Sequence, residues 1–100
     1  MIEVKDTGAA SQMPKYQCHK QVWALKIAAI EFEMGGTAKI APADKGFATF
    51  TAPDFRSRFH GGKQLDLMSE VDLGYYVQYE GGYISWSPTK AFEEGYKRIS

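Results

Sequence analysis

The chain contains no asparagine, which excludes N-glycosylation. It has one cysteine, Cys18, in 100 residues. An intramolecular disulfide and a cysteine-ligated metal centre are therefore both excluded, and a reducing, cytoplasmic setting is expected. No stretch approaches the ~20 apolar residues of a transmembrane helix, so no membrane partner is expected. The opening MIEVKDTGAASQ lacks the basic and apolar regions of a secretory signal. Histidine is scarce too. His19 and His60 stand far apart among scattered carboxylates, without metal-ligand spacing. Charge of either sign is not in excess, because twelve basic and twelve acidic residues cancel. A neutral chain exerts no general pull on nucleic acid. The one basic cluster, Arg56, Arg58, His60 and Lys63, is sparse.

What the chain does have is aromatic side chains, six Tyr, six Phe and two Trp. A domain this small buries only roughly 60–70% of its extended surface, so its thin core has difficulty hiding that many rings. Residues 1–12 are small, polar and aperiodic and read as a flexible N-terminal extension. Residues 13–100 read as a single domain.

Val22–Met34, VWALKIAAIEFEM, is apolar with two competing periods. Trp23, Ile27, Ile30 and Met34 fit a helix. Val22, Ala24, Ala28, Ile30, Phe32 and Met34 fit one strand face, with Trp23, Leu25 and Ile27 on the other. Gly35-Gly36 and then Pro42 decide for a strand over Val22–Glu33 and a hairpin. A three-residue loop, Gly35-Gly36-Thr37, would set Phe32 opposite Ile40 and Glu33 opposite Lys39, with Gly in a left-handed conformation. Pro42–Gly46 is a turn, followed by a short strand around Phe47–Thr51. Pro53-Asp54 starts a helical turn with Phe55 and Phe59 at i and i+4. Gly61–Asp72 is undecided, a mobile loop or a segment docking Leu65, Leu67, Met68 and Val71 on the core.

The final hairpin closes at Gly81-Gly82. A two-residue loop pairs Tyr79 with Ile84 and Val77 with Trp86. Trp86 then shares a face with Tyr75, Val77, Tyr79 and Ile84. Tyr76, Gln78, Glu80, Tyr83, Ser85 and Ser87 share the other. Ser87 reads as a helix N-cap with Pro88 at the first helical position. Phe92, Tyr96 and Ile99 form the stripe of that helix expected to bury Trp86, and Gly95 suggests close approach to the sheet.

No catalytic residue is expected. Cys18 and His19 are adjacent, so on a strand they point apart; only His60 could serve as a base, and a buried cysteine beside a surface histidine is the better reading. Glu93 and Glu94 diverge by about 100° on a helix and read as an exposed acidic face. Asp66, Glu70 and Asp72 read as a solvated loop, and Gly61-Gly62-Lys63 as a turn rather than a phosphate cradle. One feature rises above these. Tyr76, Gln78, Tyr83 and Ser85 would form a polar-aromatic surface, suited first to a subunit interface, then to a covered core, then to stacking a flat ligand. Arg56 and Arg58 are the cations that would complete a ligand site.

KYQCHKQVWALKI near the start and DLGYYVQYEGGYISWSPTKAFEEGYKRI at the end resemble a family of small tailed-phage and prophage proteins. The shared pattern is Gly74-Tyr75-Tyr76, a Gly-containing turn, Ser85-Trp86-Ser87-Pro88, and Phe92-Glu93-Glu94-Gly95-Tyr96. The match covers about residues 13–99 and is most specific at the C-terminus, while Phe55–Val71 does not match. The resemblance implies a phage origin, an accessory gene and a site of action in the cytoplasm of the infected bacterium. It transfers no active site. Many such small proteins antagonise bacterial immunity, by sequestering nucleotide signals or by binding defence proteins.

The expected fold is α+β, a small twisted, mostly antiparallel sheet of four to five strands with a C-terminal helix packed on it. The expected function is a non-enzymatic, cofactor-free phage anti-defence protein that sequesters a nucleotide-like immune signal. The alternative is a protein-interaction inhibitor of a host defence complex without a small-molecule pocket. Self-association is expected, with Tyr76 or Tyr83 at or near the contact.

Overall fold

The computed structural model describes residues 13–17, 21–65 and 70–98. The expected extension (residues 1–12), Cys18, His19, Asp66, Leu67, Met68 and Ile99 lie outside the described residues. The fold is the expected α+β arrangement. In chain order the strands are β1 (Lys15–Gln17), β2 (Gln21–Phe32), β3 (Ala38–Pro42), β4 (Phe50–Ala52), β5 (Tyr75–Tyr79), β6 (Ile84–Ser87) and β7 (Lys97–Arg98), with α1 (Thr89–Gly95) between the last two. Among the described residues the pairings are antiparallel. The path β4-β3-β2-β1-β7 is joined by β5, which pairs β2 and β6. The short β1 and β7 extend the sheet beyond the four or five strands expected.

β2 is the spine. It pairs β5 through Val22–Lys26 and β3 through Ile27–Phe32. The register shifts between Ile27 and Ala29. A bulge of this kind advances the alternation by one residue. Trp23, Leu25 and Ile27 therefore share a core cluster with Ile30 and Phe32. This resolves the two competing periods of the segment: it is a strand, and its one irregularity imitates a helical spacing. Glu31 pairs Lys39, Ile30 pairs Ile40 and Phe32 pairs Ala38. The loop keeps the expected length of three but sits one residue earlier, at Met34-Gly35-Gly36, closed by the Glu33 N–H donating to the Thr37 carbonyl at 2.7 Å. Gly35 and Gly36 are both left-handed.

The last hairpin departs from expectation. Its register pairs Tyr76 with Trp86 and Gln78 with Ile84. The Tyr79 N–H donates to the Tyr83 carbonyl at 2.9 Å, so the loop is the three residues Glu80-Gly81-Gly82, with Gly82 at φ +89°. A one-residue change of register moves every side chain of a strand to the other face. Trp86 and Ile84 thus join Tyr76, and Ser85 and Ser87 fall opposite Val77 and Tyr75. Trp86 is not under α1.

Two apolar layers result. On one face, the 3₁₀ turns Phe55–Ser57 and Phe59–Gly62 press Phe55 and Phe59, both almost wholly buried, against Trp23, Leu25, Ile40 and Tyr76. The segment forms two short 3₁₀ turns that meet at Arg58 in place of one helical turn, with a positive φ at Asp54 before the first and at His60 within the second. On the other face, α1 buries Phe92 against Val22, Ala24, Tyr75 and Val77, with Tyr16, Tyr79 and Tyr96 at the rim.

Three local expectations for α1 are corrected. Pro88 stands at the extended N-cap place in front of Thr89, not at the first helical position, and Ser87 does not cap the helix, its hydroxyl donating to the Pro88 carbonyl at 3.3 Å. The cap comes from Asp72, which accepts the Thr89 N–H at 2.9 Å and the Thr89 hydroxyl at 2.6 Å. Gly95 has no close neighbour, since a Cβ there meets nothing within 4 Å. The glycine that close packing requires is Gly74, at φ +70°, where a Cβ would strike the Ser87 carbonyl and the Trp86 indole.

Candidate interaction surface

The six residues expected to form a ligand site are not one constellation. Tyr76 is core, its ring 5.0 Å from Phe50 and 5.4 Å from Phe55. Burial raises its phenol pKa, partly offset by the Arg58 charge. Gln78 shares its face. Ser85 lies on the opposite face, and its hydroxyl bonds the Trp86 carbonyl at 3.4 Å. Tyr83 is 62% exposed at the hairpin end, 5.8 Å from the Tyr79 ring. The cause of the separation is the three-residue loop.

Both arginines are engaged in holding the chain. Arg58 donates from Nε to the Ile84 carbonyl at 2.7 Å and from Nη1 to the Asp54 carbonyl at 3.2 Å. It clasps the 3₁₀ turns to β6, whose outer edge has no strand partner among the described residues. Its guanidinium also lies 5.8 Å from the Tyr83 ring centroid, so these two residues of the expected site are brought together. Arg56 donates from Nη1 to the Lys63 carbonyl at 3.1 Å and from Nη2 to Gln64 Oε1, and lies 5.1 Å from the Phe32 ring centroid.

Arg56 thereby ties residues 63–64 over the end of β2 and forms the side of a cleft. Its lining is Phe32, Arg56, Phe59, Lys63, Gln64 and Leu65, and its volume is about 130 Å³. Phe32 and Phe59 meet edge to face at 5.4 Å at its base. Next to it stands the β2–β3 turn, where a Cβ on Gly36 would lie 3.8 Å from Arg56 Cβ. At the tip of this turn Met34 is 99% exposed. Leu65 is a second exposed apolar side chain at the cleft. Sequence reasoning had Lys63 in the basic cluster and Met34 in the apolar run. It had no signal for joining them, since that needs the fold of residues 53–65 over β2. A wider, shallow groove of about 590 Å³ lies along Ala29, Ile30, Glu31, Lys39, Ala41 and Thr49.

Two further polar clusters among the described residues tie elements of the fold together. Asp72 also accepts the Gly74 N–H at 3.1 Å. Burial alone would raise its carboxyl pKa, but the bonds from Thr89 and Gly74, with His60 nearby, hold it below the usual value. The Tyr75 hydroxyl donates to Glu93 at 2.7 Å, and Glu93 pairs with Lys26 at 3.5 Å. Burial and the Glu93 bond push the Tyr75 phenol well above its ordinary pKa, which keeps it a donor. Among the described residues no group of three or more His, Cys, Asp or Glu could hold a metal ion. Nor is any helix among them long and apolar enough to cross a membrane.

Comparison with known proteins finds no matching family model, no matching curated protein and no matching solved structure.

Proposed function

We propose that the chain is a non-enzymatic phage accessory protein with an anti-defence role, acting by docking on a host defence protein. The resemblance of the C-terminal motifs to small phage proteins supports the setting. The mode is supported by one observation: the almost fully exposed Met34 stands beside a cleft that carries two cations and the exposed Leu65. Sites for nucleotide-sized ligands usually span roughly 300–1,000 Å³ with converging polar groups. The cationic cleft, at about 130 Å³, is smaller than this. The larger groove offers one cation, one carboxylate and no aromatic ring. An exposed apolar tip flanked by charge suits a protein surface.

A second reading, sequestration of a nucleotide-derived signal, rests on Tyr83. Its exposed ring, with Tyr79 and the Arg58 guanidinium beside it, is a stacking platform carrying a cation. Self-association through Tyr83 would give such a platform a second wall. Tyr76 takes no part in such a contact, being covered within the chain.

The test is phage plating on defended bacteria that express the protein, combined with affinity capture of the defence protein. Docking expects Met34→Glu to abolish protection and capture while the fold is kept. Thermal shift with cyclic and ADP-ribose-type nucleotides tests the second reading, since ligand at ~100 times its Kd adds about 2.7 kcal/mol. A shift that Tyr83→Ala removes would overturn docking in favour of sequestration.

A further inference from the structure

We propose that the cleft between the end of β2 and residues 59–65 is a receptor for a single acidic side chain, aspartate or glutamate, presented by the docked protein. This deepens the docking reading and rests on it. Among the described residues the lining holds two cations, Arg56 and Lys63, one carboxamide, Gln64, and no carboxylate. Of the five guanidinium N–H donors of an arginine, Arg56 spends two among the described residues, on the Lys63 carbonyl and on Gln64, so three remain there to meet a ligand. Those two bonds and the Phe32 ring hold the guanidinium in place before any ligand arrives. A pre-positioned planar fork loses little rotamer freedom on meeting a carboxylate. The Lys63 ammonium has no ion-pair partner among the described residues.

Size and floor select further. A cleft of about 130 Å³ is well below the roughly 300–1,000 Å³ of sites for drug-sized ligands, and suits one side chain better than a nucleotide. Phe32 and Phe59 form an apolar base suited to the methylenes behind a carboxylate, and Leu65 with Met34 offers apolar surface to the residues flanking it. Charge, volume and apolar surroundings together describe an acidic residue within an apolar stretch of a protein surface.

The direct test is an NMR titration of the ¹⁵N-labelled full chain with N-acetyl-glutamate N-methylamide, N-acetyl-glutamine N-methylamide and inorganic phosphate. The expected result is saturable shifts at Phe32 and Lys63–Leu65 with the glutamate probe, weakened by salt and absent with the glutamine probe. Lys63→Gln, at an exposed position, should weaken the binding at least about threefold. No saturable shift up to the solubility of the probe overturns the proposal. So do equal responses to both amino-acid probes, or a phosphate response stronger than that to glutamate, which would mark a general anion site. The titration uses no partner, so it judges the cleft independently of docking. Capture that survives Lys63→Gln but not Met34→Glu overturns the cleft and leaves docking in place.

Discussion

The imidazole of His60 lies on the indole of Trp86, ring centroids 4.0 Å apart and planes tilted by 35°, on the sheet face away from α1. Phe92 of α1 belongs to the other apolar layer. Substitutions in separate layers should therefore add. A double-mutant cycle with Trp86→Phe and Phe92→Leu is expected to be additive within about 0.5 kcal/mol in chemical denaturation. A coupling of 1 kcal/mol or more would put the two rings on one face.

Asp72 caps α1 from seventeen residues away in sequence, so Asp72→Ala should cost about 1 kcal/mol, as loss of an N-cap does. Folding lowers the carboxyl pKa from its ordinary 3.8. The charged form's contribution is thus full above that pKa and is lost as pH falls through the lower folded value. Melting curves from pH 6 down to pH 2 should show Asp72→Asn losing less stability than wild type over the acid end. Parallel curves would show that the charge contributes nothing.

Two glycines should answer oppositely to alanine. Gly74→Ala forces a Cβ into the Ser87 carbonyl and the Trp86 indole at a left-handed backbone position, and a loss of more than about 2 kcal/mol is expected. Gly95→Ala adds a Cβ in open space at the end of α1. It should gain roughly 0.5 kcal/mol, since glycine is the poorer helix former. A tolerated Gly74→Ala would mean that the β5–β6 hairpin sits farther from residue 74 than described.

Arg58 holds Ile84 and Asp54 carbonyls with one rigid fork. Arg58→Ala should cost about 1–2 kcal/mol and uncover the β6 edge, raising self-association on standing. Arg58→Lys should recover only part of this, because an ammonium cannot span both carbonyls in one plane. Full recovery by lysine would show that charge alone matters at this position.

Much of the framework is legible in local chemistry. Alternation and the flanking Gly-Gly mark β2 and its hairpin, and the preference for an odd loop follows from pairing Ile40 with an apolar partner and Lys39 with a carboxylate. Both pairings occur, shifted along β2 to Ile30 and Glu31. The candidate site was less legible. Four of its six expected residues, Tyr76, Gln78, Tyr83 and Ser85, presumed a face whose membership turns on one residue of loop length at Gly81-Gly82, and both loop lengths suit the Gly-Gly dipeptide.

The sequence by itself determined the class of element along β2, β3, β5, β6 and α1, because turn residues, alternation and helix periodicity act over a few positions. Only the tertiary structure decided which face each side chain joined. The three-residue loop places Trp86 against Phe59 and Tyr76, a burial made available by turns some thirty residues earlier in the chain. The bulge at Ile27–Ala29 likewise brings Ile30 and Phe32 to the layer of Trp23 and Leu25. Register is chosen by the apolar area that distant segments cover, and that sum over contacts is not written at the turn itself.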